Sequence, residues 1–139
     1  MLRFFRKHAR HAVNDPDFGA IQESKSGSWE GVEFRLWGYG SIQVMIDAGT
    51  EGPSAEQRSF VRALRSDREE SRTRIEQSVT AHSKQTAREV GPLHLSSIYI
   101  PKSPLRDKWR VWFDMEGEEH YWYGAEVEGW QRIVPFAED

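Results

Sequence analysis

The chain contains no cysteine, which excludes disulfide staples, thiolate metal sites and thiol nucleophiles and fits a reducing compartment. It contains no apolar run of membrane-spanning length, so no transmembrane segment is expected. The first residues are basic, but no uninterrupted apolar stretch with a small-residue cleavage site follows them. A signal peptide is therefore not expected, and a cytoplasmic location is. No glycine-rich phosphate cradle is present: Gly38-Tyr39-Gly40 and the Gly49 to Gly52 stretch lack both the spacing and the lysine of one. No serine sits on a nucleophile elbow, and internal repeats and low-complexity segments are missing. No cofactor is implied.

What the chain does have is length enough for one domain with its own core, 139 residues. Its formal net charge of −3 conceals a segregation. Residues 1–13 carry Arg3, Arg6, Lys7 and Arg10 and no acid. Residues 107–139 carry Asp107, Asp114, Glu116, Glu118, Glu119, Glu126, Glu128, Glu138 and Asp139 against only Lys108, Arg110 and Arg132. The acidic end repels nucleic-acid phosphate and attracts basic partners, so no direct nucleic-acid binding is expected there. The organisation read from this is a basic N-terminal arm over 1–14 and a single α+β domain over 15–139. Leu2, Phe4 and Phe5 beside the arm's cations would make a short amphipathic helix, able to dock on an anionic membrane surface or on the acidic sheet of its own chain.

Three antiparallel strands are expected at the start of the domain: Phe18 to Glu23, Trp29 to Trp37, and one through Ile42, Val44 and Ile46. In the second, Val32, Phe34 and Leu36 share a face against Glu33, Arg35 and Trp37. The loop from Asp47 to Gly52 holds two acids but not the alternate-position ligands of a calcium hand, so it reads as a link. A helix begins at Ser54, which forms a capping box with Gln57 behind Pro53. Its stripe is Phe60, Val61 and Leu64, and a second cap signal at Ser66-Asp67-Arg68-Glu69 predicts one long helix or two shorter ones. Ile75, Val79 and His82 or Ser83 continue the stripe until Gly91-Pro92. Arg58, Arg62, Arg65, Arg68, Arg72 and Arg74 line this region, which reads as a solvated face with i, i+4 pairs Arg65–Glu69 and Arg72–Glu76, or alternatively as an anion surface diluted by interspersed acids. Leu93 to Ile100 resumes β structure. The fold class is thus α+β, an antiparallel sheet built from N- and C-terminal meanders with the helical segment inserted between them.

The C-terminal third carries the functional reading. Trp109, Val111, Phe113 and Met115 share one parity and Arg110, Trp112 and Asp114 the other. In the next run Tyr121, Tyr123, Ala125 and Val127 alternate with His120, Trp122 and Glu126. A three-residue loop, Met115-Glu116-Gly117 with Gly117 left-handed, keeps both apolar sets on one face. It pairs Val111 with Tyr121, Trp109 with Tyr123, Trp112 with His120, Arg110 with Trp122 and Asp114 with Glu118. Glu128-Gly129 then leads into a last strand, Trp130 to Val134, ended by Pro135. Two tryptophans on the polar parity are either covered by a helix or the N-terminal arm or belong to a partner-binding patch of Arg110, Trp112, Asp114, Glu118, His120 and Trp122. The same acids with His120, and His94 on a neighbouring strand, give the alternative of an acid–base or metal-dependent enzyme. Glu119 falls on the face opposite His120, so the two cannot ligate one ion from an undistorted strand. No metal site is assigned.

Several short motifs follow one another along the chain: Asp15-Pro16-Asp17-Phe18-Gly19, Trp29-Glu30-Gly31, Gly52-Pro53-Ser54-Ala55-Glu56-Gln57, Ser97-Ile98-Tyr99-Ile100-Pro101, Phe113-Asp114 and Glu119-His120. By these the chain resembles a bacterial family, domain of unknown function 6985, from Asp15 to about Val134. That family's Glu-His is generally followed by glycine and small apolar residues; here Tyr121-Trp122-Tyr123 follow. The resemblance implies no activity, cofactor or catalytic residue. It does imply small acidic proteins sometimes encoded near toxins, hence an immunity-type role. The function expected is a non-enzymatic protein-interaction module for a basic partner, with a homodimer through an unpaired strand edge also open.

Overall fold

The computed structural model describes residues 11–86, 91–118 and 121–138. Among them, eight strands form one sheet in chain order: β1 (Ala12–Asp15), β2 (Gly19–Lys25), β3 (Ser28–Arg35), β4 (Ser41–Asp47), β5 (Leu93–Ile100), β6 (Lys108–Met115), β7 (Trp122–Glu128) and β8 (Arg132–Glu138). Two helices, α1 (Ala55–Ser66) and α2 (Glu69–Thr86), are inserted between β4 and β5. Every neighbouring pair is antiparallel except β4 and β5, which run parallel. The helical crossover produces that exception, because it returns the chain to the end of the sheet from which β4 began. The fold is therefore α+β with a mostly antiparallel sheet, two separate helices, and a parallel seam where the two meanders join.

Both helices pack on one face. Phe60, Val61 and Leu64 of α1 and Ile75 and Val79 of α2 join Ile42, Val44, Ile46, Ile98, Val111 and Tyr123 in one core. Ser54 caps α1 as its spacing predicts: its side chain accepts from Gln57 N at 3.1 Å, and Gln57 Oε1 accepts from Ser54 N at 3.0 Å. Gln57 is fully buried, yet satisfied, because Nε2 donates to the carbonyls of Asp47 (2.7 Å) and Pro101 (2.9 Å). Along α2 it is Ser83, not His82, that completes the buried side; Ser83 is fully buried and Ser71 nearly so.

Two β-bulges change which residues face inward. A register shift between Gly31 and Phe34 lets Trp29 and Phe34, of opposite parity, both reach the core. Val32 is left half-buried, and Trp37, expected opposite Phe34, turns inward with φ 59° and donates from Nε1 to Leu64 O at 3.2 Å. A second shift between Leu95 and Ser97 puts Leu95 on the same side as Ile98 and Ile100.

The two ends of the sheet also differ from expectation. Residues 12–14, read as part of the arm, pair with β2 as the edge strand β1; residues 1–10, with the amphipathic helix read there, lie outside the described residues. The last strand does not stop at Pro135. β8 continues to Glu138 and pairs with β7 along its whole length, Pro135 opposite Ala125. A residue without an N–H is tolerated there because β8 is an edge strand.

The arginine run turns out to be structural. Asp15 Oδ1 accepts from Asp17 N (2.8 Å) and Phe18 N (3.1 Å), closing the β1–β2 turn, while Oδ2 takes Arg58 Nη1 of α1. Asp17 receives Arg62 in a two-pronged contact, both arms at 2.9 Å. Arg65 donates to Arg35 O and lies over the Phe34 ring. Arg68 covers Trp130, Arg72 pairs with Glu76, and Arg74 donates to Gln131 O. Arg72–Glu76 is the i, i+4 pair expected on the helix, whereas Arg58, Arg62, Arg65, Arg68 and Arg74 are engaged by the sheet and its loops and tie helices to strands, in place of a solvated face or an anion surface.

This arrangement makes an acid-stability prediction. The hydrogen bond from Arg62 holds the Asp17 carboxyl below its ordinary value of 3.8, against the opposing effect of burial. A depressed carboxyl stabilises the fold above its unfolded pKa, and that stabilisation disappears as pH falls through the folded value. Asp17→Asn is therefore expected to be less stable than wild type at neutral pH, with the difference shrinking below 3.8. Urea midpoints measured at neutral pH and at about pH 3 check this. A difference that stays constant across that range would contradict the assignment.

Candidate functional site

Among the described residues, no helix covers the other face of the sheet. Its side chains come from the second parity of each strand: Gln43 and Met45 of β4, Ser97 and Tyr99 of β5, Arg110, Trp112 and Asp114 of β6, Trp122 of β7. The hairpin parity expected from the sequence therefore holds within the two strands, but not at Tyr121, which was placed with the buried set and lies exposed ahead of β7. Trp109, Val111, Phe113 and Tyr123 are fully buried on the helix side, whereas Trp122 is 60% exposed. Trp112 is half-buried and Tyr121 exposed.

The pairing within that parity is different. Val111 faces Ala125 and not Tyr121, Trp109 faces Val127 and not Tyr123, and Arg110 faces Glu126 and not Trp122. Each partner on β7 lies four residues further along than expected. An even displacement leaves every side chain on its own face, so burial cannot distinguish the two registers. The connection between β6 and β7 is longer than three residues, although Gly117 is left-handed as expected, with φ 88°. Trp112 consequently lies opposite Gly124, not His120. His120 and Glu119 lie outside the described residues.

The new pairing builds the site. Arg110 donates to Glu126 Oε2 from Nε (2.8 Å) and Nη2 (2.6 Å), and Lys108 Nζ stands 3.4 Å from Oε1. The Arg110 hydrogen bond, opposed by burial, draws the Glu126 carboxyl below its ordinary value. Arg110 thus reaches Glu126 and the Phe136 ring, 5.8 Å from its centroid, in place of Trp122. Trp112 Nε1 donates to Glu138 Oε1 at 2.8 Å, and its ring meets Phe136 edge-on at 6.0 Å. The Phe136 ring lies over Gly124, where any Cβ would stand 2.5 Å from Cζ.

Trp112, Trp122, Asp114 and Glu138, with Met45 and Ser97, line an open groove of about 450 Å³ across β4 to β8. Among the described residues, no lysine or arginine lines it. A second depression of about 370 Å³ adjoins it through Met45 and is bordered by Glu30, Asp47, Lys25 and Tyr99. Burial raises the Glu30 carboxyl above its ordinary value, opposed by the Ser24 hydrogen bond; burial also raises the Tyr99 phenol, assisted by the charges of Asp47 and Asp107.

Of the expected site residues, Trp112, Asp114 and Trp122 line the groove together. Arg110 is beside them but committed to Glu126. Glu118 sits in the turn, accepting from Tyr121 N at 3.3 Å, and is not opposite Asp114. The residue across from Asp114 on β5 is His94, on the adjacent strand as anticipated. Among the described residues no three histidines or carboxylates gather closely enough to hold a metal ion. Met45 and Glu138 were missed: one is on the N-terminal meander, the other beyond Pro135 in a stretch read as tail. Their shared parity with Gln43 and Phe136 was the only local signal.

Among the described residues, no helix is long and apolar enough to cross a membrane. No protein-family profile matches the chain, and no curated protein or solved structure matches it either.

Proposed function

We propose that the protein is a non-enzymatic interaction module whose open sheet face is the contact surface for a basic protein partner. The observation that supports it most is the placement of Trp122, an indole 60% exposed on the rim of a groove that also holds Trp112, Asp114 and Glu138. A large aromatic left in water beside unfilled concave space is characteristic of a contact surface, and tryptophan dominates the energetics of such surfaces. The carboxylates of Asp114 and Glu138, with no lysine or arginine beside them among the described lining residues, set the sign of the partner's charge. In the immunity-type form of this reading, implied by the resemblance to domain of unknown function 6985, that partner is a toxin.

The test is affinity capture from the source cells by the wild type, by a Trp112→Ala/Trp122→Ala double variant, and by Leu105→Ala. Leu105 is also an exposed apolar residue, 45% accessible, but it does not line the groove. Loss of a specific partner in the double variant alone is the expected result. Equal recovery of every partner by all three proteins removes the reading.

A further inference from the structure

We infer that the groove across β4 to β8 is a receptor for an arginine side chain presented by an extended basic segment of the partner. This rests on the open face being a contact surface and specifies what that surface takes. Three features of the groove converge on a guanidinium. Trp122 offers an exposed indole face on which a planar cation stacks. Among the described residues the Asp114 carboxylate has neither a hydrogen bond nor an ion pair, and Glu138 uses only Oε1, for the Trp112 indole. Two carboxylates beside an aromatic plane match a group that is flat, permanently charged and able to donate in two parallel directions.

Among the described residues, the cations beside the groove on β6 do not fill this role. Arg110 and Lys108 both lie against Glu126, on the side of Trp112 away from Asp114. Nor does the anionic character stop at the groove, since the adjoining depression brings Glu30 and Asp47 to the other side of Met45. Within the two depressions, Glu30 lies on β3 and Trp122 on β7. Four strand spacings of ~4.8 Å make a track of roughly 19 Å, which about six extended residues would span. A basic segment of that length would place one arginine at Trp122 while its remaining positive charge lies over the second depression, where Lys25 limits the number of cations tolerated.

The experiment titrates the full chain with capped hexa-arginine, hexalysine and hexaglutamate, read by tryptophan fluorescence and by calorimetry. Hexa-arginine is expected to bind saturably and about tenfold more tightly than hexalysine, with hexaglutamate not binding. Asp114→Asn/Glu138→Gln is expected to weaken hexa-arginine by about tenfold or more. Glutamine at 138 retains an acceptor for the Trp112 indole, so this variant keeps the contact that positions the ring. Glu69→Gln/Glu70→Gln, on exposed acids of α2, is expected to leave the affinity unchanged. The inference is overturned if hexa-arginine does not saturate, if hexalysine binds equally well, or if the groove variant binds as the wild type does. Should partner capture depend on the indoles while hexa-arginine fails to bind, the arginine assignment falls and the contact-surface reading stands.

Discussion

Trp109→Ala is expected to cost about 3–5 kcal/mol, whereas Trp122→Ala is expected to change stability by no more than about 0.5 kcal/mol. The two residues lie on adjacent strands of one hairpin and differ in parity. Trp109 is fully buried, edge-on to Phe60 and Trp130 at centroid distances of 5.2 and 6.3 Å, and its Nε1 donates to Gly129 O at 2.9 Å. Its removal leaves a cavity between sheet and helix α1 and a loop carbonyl without its donor. Trp122 contributes little to that core, because most of its surface remains in water. Denaturant unfolding of the two variants beside wild type checks the contrast. Comparable losses in both would show that the hairpin's faces have been exchanged.

Gly124→Val is expected to destabilise by about 3 kcal/mol or more, although glycine at this position has no unusual backbone angle. The reason is space. A Cβ on residue 124 would lie 2.3 Å from Val111 O, a backbone atom that cannot swing away, and 2.5 Å from the Phe136 ring. Valine there must displace β6 or lift Phe136 off the sheet, and Phe136 is what Trp112 packs against. Loss of stability should therefore be accompanied by a change in Trp112 fluorescence. A variant as stable as wild type would mean that β7 and β8 are not packed as described. Gly124→Ala, with the same Cβ and no branches, should fall between the two.

The parity of the hairpin was legible because a one-residue slip would have moved a whole set of apolar side chains into water, a penalty that a sequence pattern records. Its register was not, because the two candidate pairings differ by an even number of residues and bury the same set. The tie is decided by features outside the period: Gly124 leaves room for Phe136, and Glu126 gives Arg110 a partner. Bulges escaped for a related reason. Ser96-Ser97 and the Gly31–Phe34 stretch each reverse an alternation, and the residues that do so are unremarkable in type. The helix caps were readable, since Ser54 and Gln57 lie within one turn of each other. The pairs Asp15–Arg58 and Asp17–Arg62 were not, because their members are 43 and 45 residues apart.

That pairing also changes what the short motifs mean. Asp15-Pro16-Asp17-Phe18 closes a turn and receives two arginines of α1. Trp29 donates to Gly49 O and Gln57 to two carbonyls, holding the link between β4 and α1. These contacts lie on the helix side or at the sheet's end, where they stabilise the fold. The groove lies on the other face and is assembled from strands far apart in sequence. Its full composition could not be read from any one motif; Trp112, Asp114 and Trp122 were legible from their parity.

Solvent accessibility of the individual indoles tests the central claim most directly. With ¹⁵N-tryptophan, resonances assigned by single Trp→Phe variants and a soluble paramagnetic agent added, the account predicts the strongest broadening at Trp122. Trp112 should show less, and Trp109, whose indole is buried against Gly129, almost none. Strong broadening at Trp109 with protection of Trp122 in the isolated chain would contradict it, and the open face would lose the residue on which its role depends.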